Sequence, residues 1–206
     1  MLASRPIRQA RVLLNDPLSV RWTDAELLDW LNGGQLQIVA VRPDAKATKI
    51  NMVLVAGTEQ SIPAGGTKLL DVVRNIGGSA ITLVKRAQLT DYDRSWYAKT
   101  ASASITHYTF DDSDPKCFEV YPPAIAGTSV RVLYAALPTD CAATTSAIDL
   151  DDIYEGPLID WVCYRAWSKD GDSAPDAQRA ANAMATFMQA LVGKSQADQA
   201  SEPARK

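Results

Sequence analysis

The sequence predicts an α+β fold: a helical bundle made from N- and C-terminal helices, with an inserted, mostly antiparallel β region between them. Three observations predict it. Apolar residues recur at helical spacing over residues 5–42 and again over 150–192. Residues 45–135 instead alternate apolar and polar side chains in short runs divided by turn-forming stretches. Neither terminal pair of amphipathic helices can bury its apolar face alone, so the two ends are expected to pack together and leave the β region projecting. The expected division is 1–44 for the N-terminal helices, 45–138 for the β-rich insertion, 150–192 for a C-terminal helical hairpin and 193–206 for a disordered tail.

The first helix is expected from about Pro6 to Asn15, with Ile7, Ala10 and Leu14 on one face and Leu13 beside them. The second has a sharper start. Thr23 and Glu26 make a capping box, flanked by Trp22 and Leu27 as a hydrophobic staple. Leu27, Leu31, Ile38 and Val41 continue the apolar stripe until Pro43 stops it. Gly33-Gly34 interrupts it at roughly 1 kcal/mol per glycine relative to alanine, which marks either close helix packing or a kink.

In the middle region Ile50, Met52 and Leu54 share a face, as do Ile81 with Leu83, Phe118 with Val120, and Val130 with Val132 and Tyr134. Leu69–Asn75 fits a strand or a short helix, and Leu89–Tyr97 fits one or two helical turns carrying Trp96. Helix is expected to resume at Leu150, with Asp151 and Asp152 early and Arg165 and Lys169 late, matching the helix dipole. Asp170-Gly171-Asp172 breaks it, and Ser173, Pro175 and Asp176 start another. The inner face of this last helix is read as Ala177, Ala180, Ala181, Met184, Phe187, Met188 and Leu191. From Gly193 to Lys206 apolar content nearly vanishes.

The chain has 206 residues, 47% of them hydrophobic, and a formal net charge of -3. That balance argues against a dedicated nucleic-acid binder, which would show a basic stripe. Met1–Asp16 carries Arg5, Arg8 and Arg11 without an apolar stretch long enough for a signal-peptide core, and Ile38–Val41 is too short to span a bilayer. A soluble compartment is expected. Cys117, Cys141 and Cys163 form no Cys-x-x-Cys pair, which points away from zinc and redox motifs and toward a reducing environment.

Catalytic chemistry finds little support. His107 is the only histidine and is read as structural or surface, because no nucleophile motif accompanies it. Asp111, Asp112 and Asp114 fail the calcium-loop spacing: the position that needs glycine holds Lys116 or Cys117. They are read as a solvated hairpin tip. Glu119 with Asp111 or Asp112 could serve glycoside hydrolysis only across a cleft. Gly193-Lys194-Ser195 lacks the glycine five positions earlier that a phosphate loop needs, since Met188 stands there. Trp22, Trp30, Trp161 and Trp167 fall on or beside apolar helical faces and are read as packing residues, with Trp96 in the β region. No catalytic residue, cofactor or metal is expected.

One likeness spans roughly residues 20–190. It is carried by Trp22-Thr-Asp-Ala-Glu-Leu-Leu28, the Gln35–Asp44 run ending in Val41-Arg-Pro-Asp44, and Gly57-Thr-Glu-Gln-Ser-Ile-Pro63. Leu70-Asp-Val-Val-Arg-Asn75, Val120-Tyr-Pro-Pro123, Leu133-Tyr-Ala-Ala-Leu-Pro138 and the Leu158–Asp170 helix with Tyr164-Arg-Ala-Trp-Ser-Lys-Asp170 follow in order. In this order and spacing the chain resembles the head-to-tail adaptor (connector) proteins of podoviruses. The resemblance implies a structural virion protein at the neck, assembled in the host cytoplasm, and not an enzyme. It implies a dodecameric ring of copies of itself between the portal protein and the tail nozzle or tubular protein. DNA passes through such a lumen without sequence-specific binding, and no membrane is involved. Because family C-terminal segments extend onto the portal, portal contact is expected from Gly193, Lys194, Ser195, Gln196, Arg205 and Lys206. The alternatives are a head-completion or neck protein of another phage tail type, and a virion-associated cell-wall hydrolase.

Overall fold

The computed structural model describes residues 1–169 and 174–201, with 194–201 described by backbone alone. Its elements in chain order are α1 (Ser4–Leu13), α2 (Asp24–Val41), β1 (Ala47–Val53), β2 (Gly57–Ser61) and β3 (Gly66–Asn75). They continue with β4 (Thr82–Leu83), α3 (Arg86–Tyr92), β5 (His107–Phe110), β6 (Cys117–Ala124), β7 (Ser129–Ala136), α4 (Glu155–Lys169) and α5 (Ala174–Ser201). The α+β class expected from the sequence is the class observed. The chain divides into two compact units, one from Met1–Ala45 with Pro138–Lys206, the other from Lys46–Leu137.

The first unit is the helical one, and both chain ends build it. Leu27, Leu31 and Ile38 of α2 pack with Leu158, Val162 and Ala166 of α4, Ile7 and Ala10 of α1, and Phe187 and Leu191 of α5. The capping box at Thr23 forms as the sequence predicts, with the Glu26 N–H donating to Thr23 Oγ1 at 3.2 Å. Trp22 packs edge-on to Trp30, centroids 5.4 Å apart. α2 runs unbroken through Gly33-Gly34, so the pair serves close approach and not a kink. A Cβ on Gly34 would stand 2.8 Å from Trp161 Cδ1 and 3.2 Å from Leu158 Cδ2. Trp161 has little freedom to yield, because Phe187 and Tyr164 lie against it at 5.2 and 5.3 Å.

Side-chain amides join the two ends. Asn32 accepts from the Cys141 N–H at 2.8 Å and donates to the Cys141 carbonyl at 3.1 Å. One turn on, fully buried Gln35 accepts from the Asp149 N–H at 3.2 Å. A buried amide is tolerated only when bonded in this way.

The second unit holds two sheets, ordered β1-β7-β3 and β2-β6-β5-β4, all pairings antiparallel except the short β4–β5 pair. Leu54, Leu69, Val72, Tyr108, Phe118, Val120, Val130 and Val132 fill its core. The Leu69–Asn75 ambiguity resolves as strand. Its register shifts between Gly66 and Lys68, Leu69 and Asp71, and Val72 and Arg74, so buried residues fall at Leu69, Val72 and Asn75. Bulges thus turn a period of two into a spacing of three that mimics a helix. Leu89–Tyr97 resolves into the end of α3 and a single 3-10 turn at Trp96–Ala98.

α1 runs Ser4–Leu13 where Pro6 to Asn15 was expected, and two further boundaries and one buried face differ from expectation. A 3-10 turn at Asp152–Tyr154, capped by Asp151 accepting from the Ile153 N–H at 3.0 Å, delays α4 until Glu155. The buried face of α5 is Ala180, Ala183, Phe187 and Leu191, with Ala177, Ala181 and Met188 exposed, because Phe187 and Leu191 set the i, i+4 stripe. The same helix continues past 192 to Ser201, the last described residue. Residues 170–173, expected to break and restart the helix, lie outside the described residues.

Replacing Gly34 with alanine is expected to destabilise the fold by about 1–3 kcal/mol through overpacking against Trp161. At Gly33 a Cβ would meet Trp161 Nε1 at an ordinary 3.7 Å. Gly33→Ala should therefore be neutral or stabilising by up to about 1 kcal/mol. Urea midpoints of the two variants check this; equal effects would contradict the close approach at Gly34.

Candidate functional site

The surface of the helical unit is organised by a buried charge knot. α1 ends at Leu13, and the chain turns through Asn15 and Ser19, both non-glycine residues with φ near the left-handed value, 54° and 58°. Asp16 holds this turn from inside. Its carboxylate accepts from the backbone N–H groups of Val20 at 2.8 Å and Trp22 at 2.9 Å, with Arg21 at 3.2 Å. The buried Arg11 guanidinium donates to Asp16 at 3.2 Å and to Asp24, in the first turn of α2, at 2.6 Å. Burial pushes the Asp16 carboxyl up, but the three backbone donors and Arg11 outweigh it, so the group titrates below the ordinary value of 3.8.

What this knot displays is apolar. Leu18 is 82% exposed and Val20 83%. Beside the turn, α1 exposes Val12 and Leu13, 70% and 58%. A groove of about 430 Å³ lies between α1 and α4, lined by Gln9, Val12, Leu13, Gly156, Ile159 and Asp160. Burial raises the Asp160 carboxyl. No hydrogen bond or ion pair to it occurs among the described residues.

In the second unit the acid cluster sits at the β5–β6 turn, the hairpin tip expected from the sequence. Asp111 accepts from the Ser113 N–H at 2.9 Å, and Asp112 pairs with Lys68 at 2.8 Å. Glu119 on β6 is bound by Arg86 at 2.8 Å and by Thr109 Oγ1 at 3.3 Å. Asp111, Asp114 and Glu119 line a cleft of about 530 Å³ with Arg86 and Glu59. Glu119 and Asp112 are each paired with a cation, Arg86 and Lys68. His107 begins β5, its ring stacked on Tyr121 with centroids 6.2 Å apart. Among the described residues no group of three or more His, Cys, Asp or Glu could hold a metal ion. Nor is any helix long and apolar enough to cross a membrane.

Trp22 and Trp161 are buried in the helical core with Trp30 and Trp167 packed against it; Trp96 is buried in the second unit. Gly193 and the backbone of Lys194, Ser195 and Gln196 continue α5, while Arg205 and Lys206 lie outside the described residues. The knot itself was missed from sequence. Arg11 and Asp16 were given no role there, and the signal that could have pointed to the turn is the run Leu18-Ser-Val20 between two helices.

A family model described as SU10 adaptor protein matches residues 3–206. No curated protein matches the chain.

Two outcomes follow from these environments. The Asp16 carboxyl, lowered in the fold, contributes stability at pH above the ordinary 3.8 and loses it as pH falls through its lower folded value. Urea midpoints measured down that acid limb should fall less steeply for Asp16→Asn than for the parent; parallel curves would contradict the role given to Asp16. Burial also raises the Cys141 thiol, and pushes Cys163 up to about 12. A native-state thiol titration should therefore find Cys117 alone reactive, with the other two released on unfolding. Three thiols reacting at one rate would contradict it.

Proposed function

The chain belongs to the SU10 adaptor protein family, a family of phage adaptors, and from that membership we propose that it is a head-to-tail adaptor subunit of the virion neck. The observation that carries this reading is the extent of the match, which takes in both compact units and not a fragment of one. In the proposed role twelve copies form a ring under the portal protein, dock the tail nozzle below and continue the DNA channel. Assembly takes place in the host cytoplasm.

The physical features are those such a role needs. A closed ring requires head-to-tail contacts, in which one patch of each copy meets a different patch of the next. The helical unit offers exposed apolar side chains on a rigid frame, at Val12, Leu13, Leu18 and Val20. A conduit for DNA must avoid gripping phosphate, since every neutralised phosphate adds affinity and salt dependence. A net charge of -3 agrees with that. The proposed role is structural; of the acids nearest to a catalytic pattern, Asp112 and Glu119 are tied to Lys68 and Arg86, and Asp111 accepts from the Ser113 N–H. The segment 193–206, including Gly193, Lys194, Ser195, Gln196, Arg205 and Lys206, is proposed to dock on the portal.

Sedimentation of the chain alone and with its purified portal tests this. Alone it should sediment as a monomer; with portal it should move into a particle carrying a full ring. No shift on mixing would contradict the proposal. Deleting 193–206 should leave the thermal transition in place and weaken portal docking by about tenfold or more, about 1.4 kcal/mol. Unchanged docking would remove the tail from the contact.

A further inference from the structure

Val130 and Val132 of one sheet and Phe118 and Val120 of the other belong to a single core in the β-rich unit. A strand turns successive side chains to opposite faces. Arg131, between the two valines, and Glu119, between Phe118 and Val120, therefore point away from that core, one from each sheet. Each stands beside a residue of its own charge. Arg131 on β7 is in register with Arg74 on β3, and Glu119 on β6 with Glu59 on β2. Like charges directly opposite on neighbouring strands are destabilising. This unit carries two such rows, of opposite sign, on its two outer faces.

Neither row is neutralised within the chain. Arg131 donates to the Asn51 side chain at 2.6 Å, a neutral partner, and the Arg74 side chain has no partner among the described residues. Arg86 answers Glu119 at 2.8 Å, but Glu59 and Asp114 in the same cleft have no side-chain partner among the described residues. Glu59, Asp111, Asp114 and Glu119 thus line the cleft against Arg86 alone. Among the described residues these acids do not gather into a group that could hold a metal ion, so the imbalance calls for cations spread over a surface. Each face also has an apolar element: Val55 at the cleft, 61% exposed, and half-buried Leu133 two residues along β7 from Arg131.

We infer that the basic row of one copy, Arg74 and Arg131, faces the acidic cleft of a second copy at Glu59 and Asp114. The inference rests on the ring reading and deepens it by naming a contact between β-rich units, alongside the apolar surface that the helical unit offers. A second copy is the occupant because this chain carries both signs, each as an unrelieved cross-strand row. DNA would match the basic row but leave the acidic cleft unanswered. The two faces are separate: they belong to different sheets with the core between them. Where the cleft reaches Met52 and Val53 of β1 it meets the edge of the first sheet opposite to β3, which carries Arg74. The contact is therefore head-to-tail and leaves one of each face open until a ring closes. Exposed ion pairs contribute little each, so this one sets partner and register among copies that the portal has gathered.

Charge reversal in the full-length protein tests the pairing. One variant carries Arg74→Glu with Arg131→Glu, the other Glu59→Lys with Asp114→Lys. Each alone sets like charges against each other at every contact, and should raise the concentration needed to fill a ring on portal at least tenfold. Mixed in equal amounts, the two variants can alternate around the ring, so every contact again joins opposite charges and filling should return to near the parent concentration. Thermal melts check that both fold, and Arg74→Glu alone, at an exposed position, repeats the first arm if the pair does not. If either variant fills rings by itself at the parent concentration, or if mixing restores nothing, this interface is wrong while the adaptor reading stands. Rings that fill normally with the arginine variant while a short DNA duplex bound by the parent is lost would assign the basic row to DNA and overturn the proposal. If the parent chain forms no ring on portal, both readings fail.

Discussion

The structure depends on a meeting of distant chain segments, α2 near the start and α4 near the end, at a spacing only a glycine permits. Gly34 brings the α2 backbone against the face of Trp161, and Trp161 is itself fixed by Phe187 of α5 and by Tyr164. Beside that contact Asn32 pairs with both backbone groups of Cys141, and Gln35 takes the Asp149 N–H. These bonds add modest net free energy, but each becomes expensive if one partner is lost in a dry site. They therefore select one seating of the ends against all others. The β-rich unit recurs to the same device. Gln60 pairs with the N–H and carbonyl of Val55, and Asn75 with those of Ile105. Side-chain amides thus satisfy the backbone groups of Cys141, Val55 and Ile105.

Once the ends are joined, the Arg11–Asp16–Asp24 knot converts that rigidity into a surface. Burying a guanidinium and a carboxylate is costly unless both are fully bonded, and here they are, through backbone N–H groups and the start of α2. Such a knot stabilises little compared with an apolar core of the same size. Its effect is geometric: it fixes the turn so that Leu18 and Val20 stand away from the core. Preorganised display of this kind lowers the ordering cost of any later contact.

Fold class was legible because it rests on periodicity, and periodicity survives without knowledge of neighbours. The capping box at Thr23–Glu26 was legible for the same reason, being local. Failures came where tertiary structure overrode the local signal. β3 read ambiguously because its bulges place Leu69, Val72 and Asn75 at helical spacing. Gly33-Gly34 admitted two meanings until Trp161 chose between them. The face of α5 was displaced toward Ala183 because several small residues compete for one stripe and only packing decides among them. Arg11, Asp16, Asn32 and Gln35 were not legible at all. A polar residue carries no mark of burial in one sequence, since its partner is a backbone group many residues away.

The central claim is that a bundle made from both chain ends is the repeating frame of a neck ring. Electron microscopy of the full-length chain mixed with its own portal tests it most directly. The account predicts class averages with an added layer of twelve copies below the portal, each touching the next through its helical unit. Portal particles without that layer, or with copies attached singly and out of contact, would contradict it.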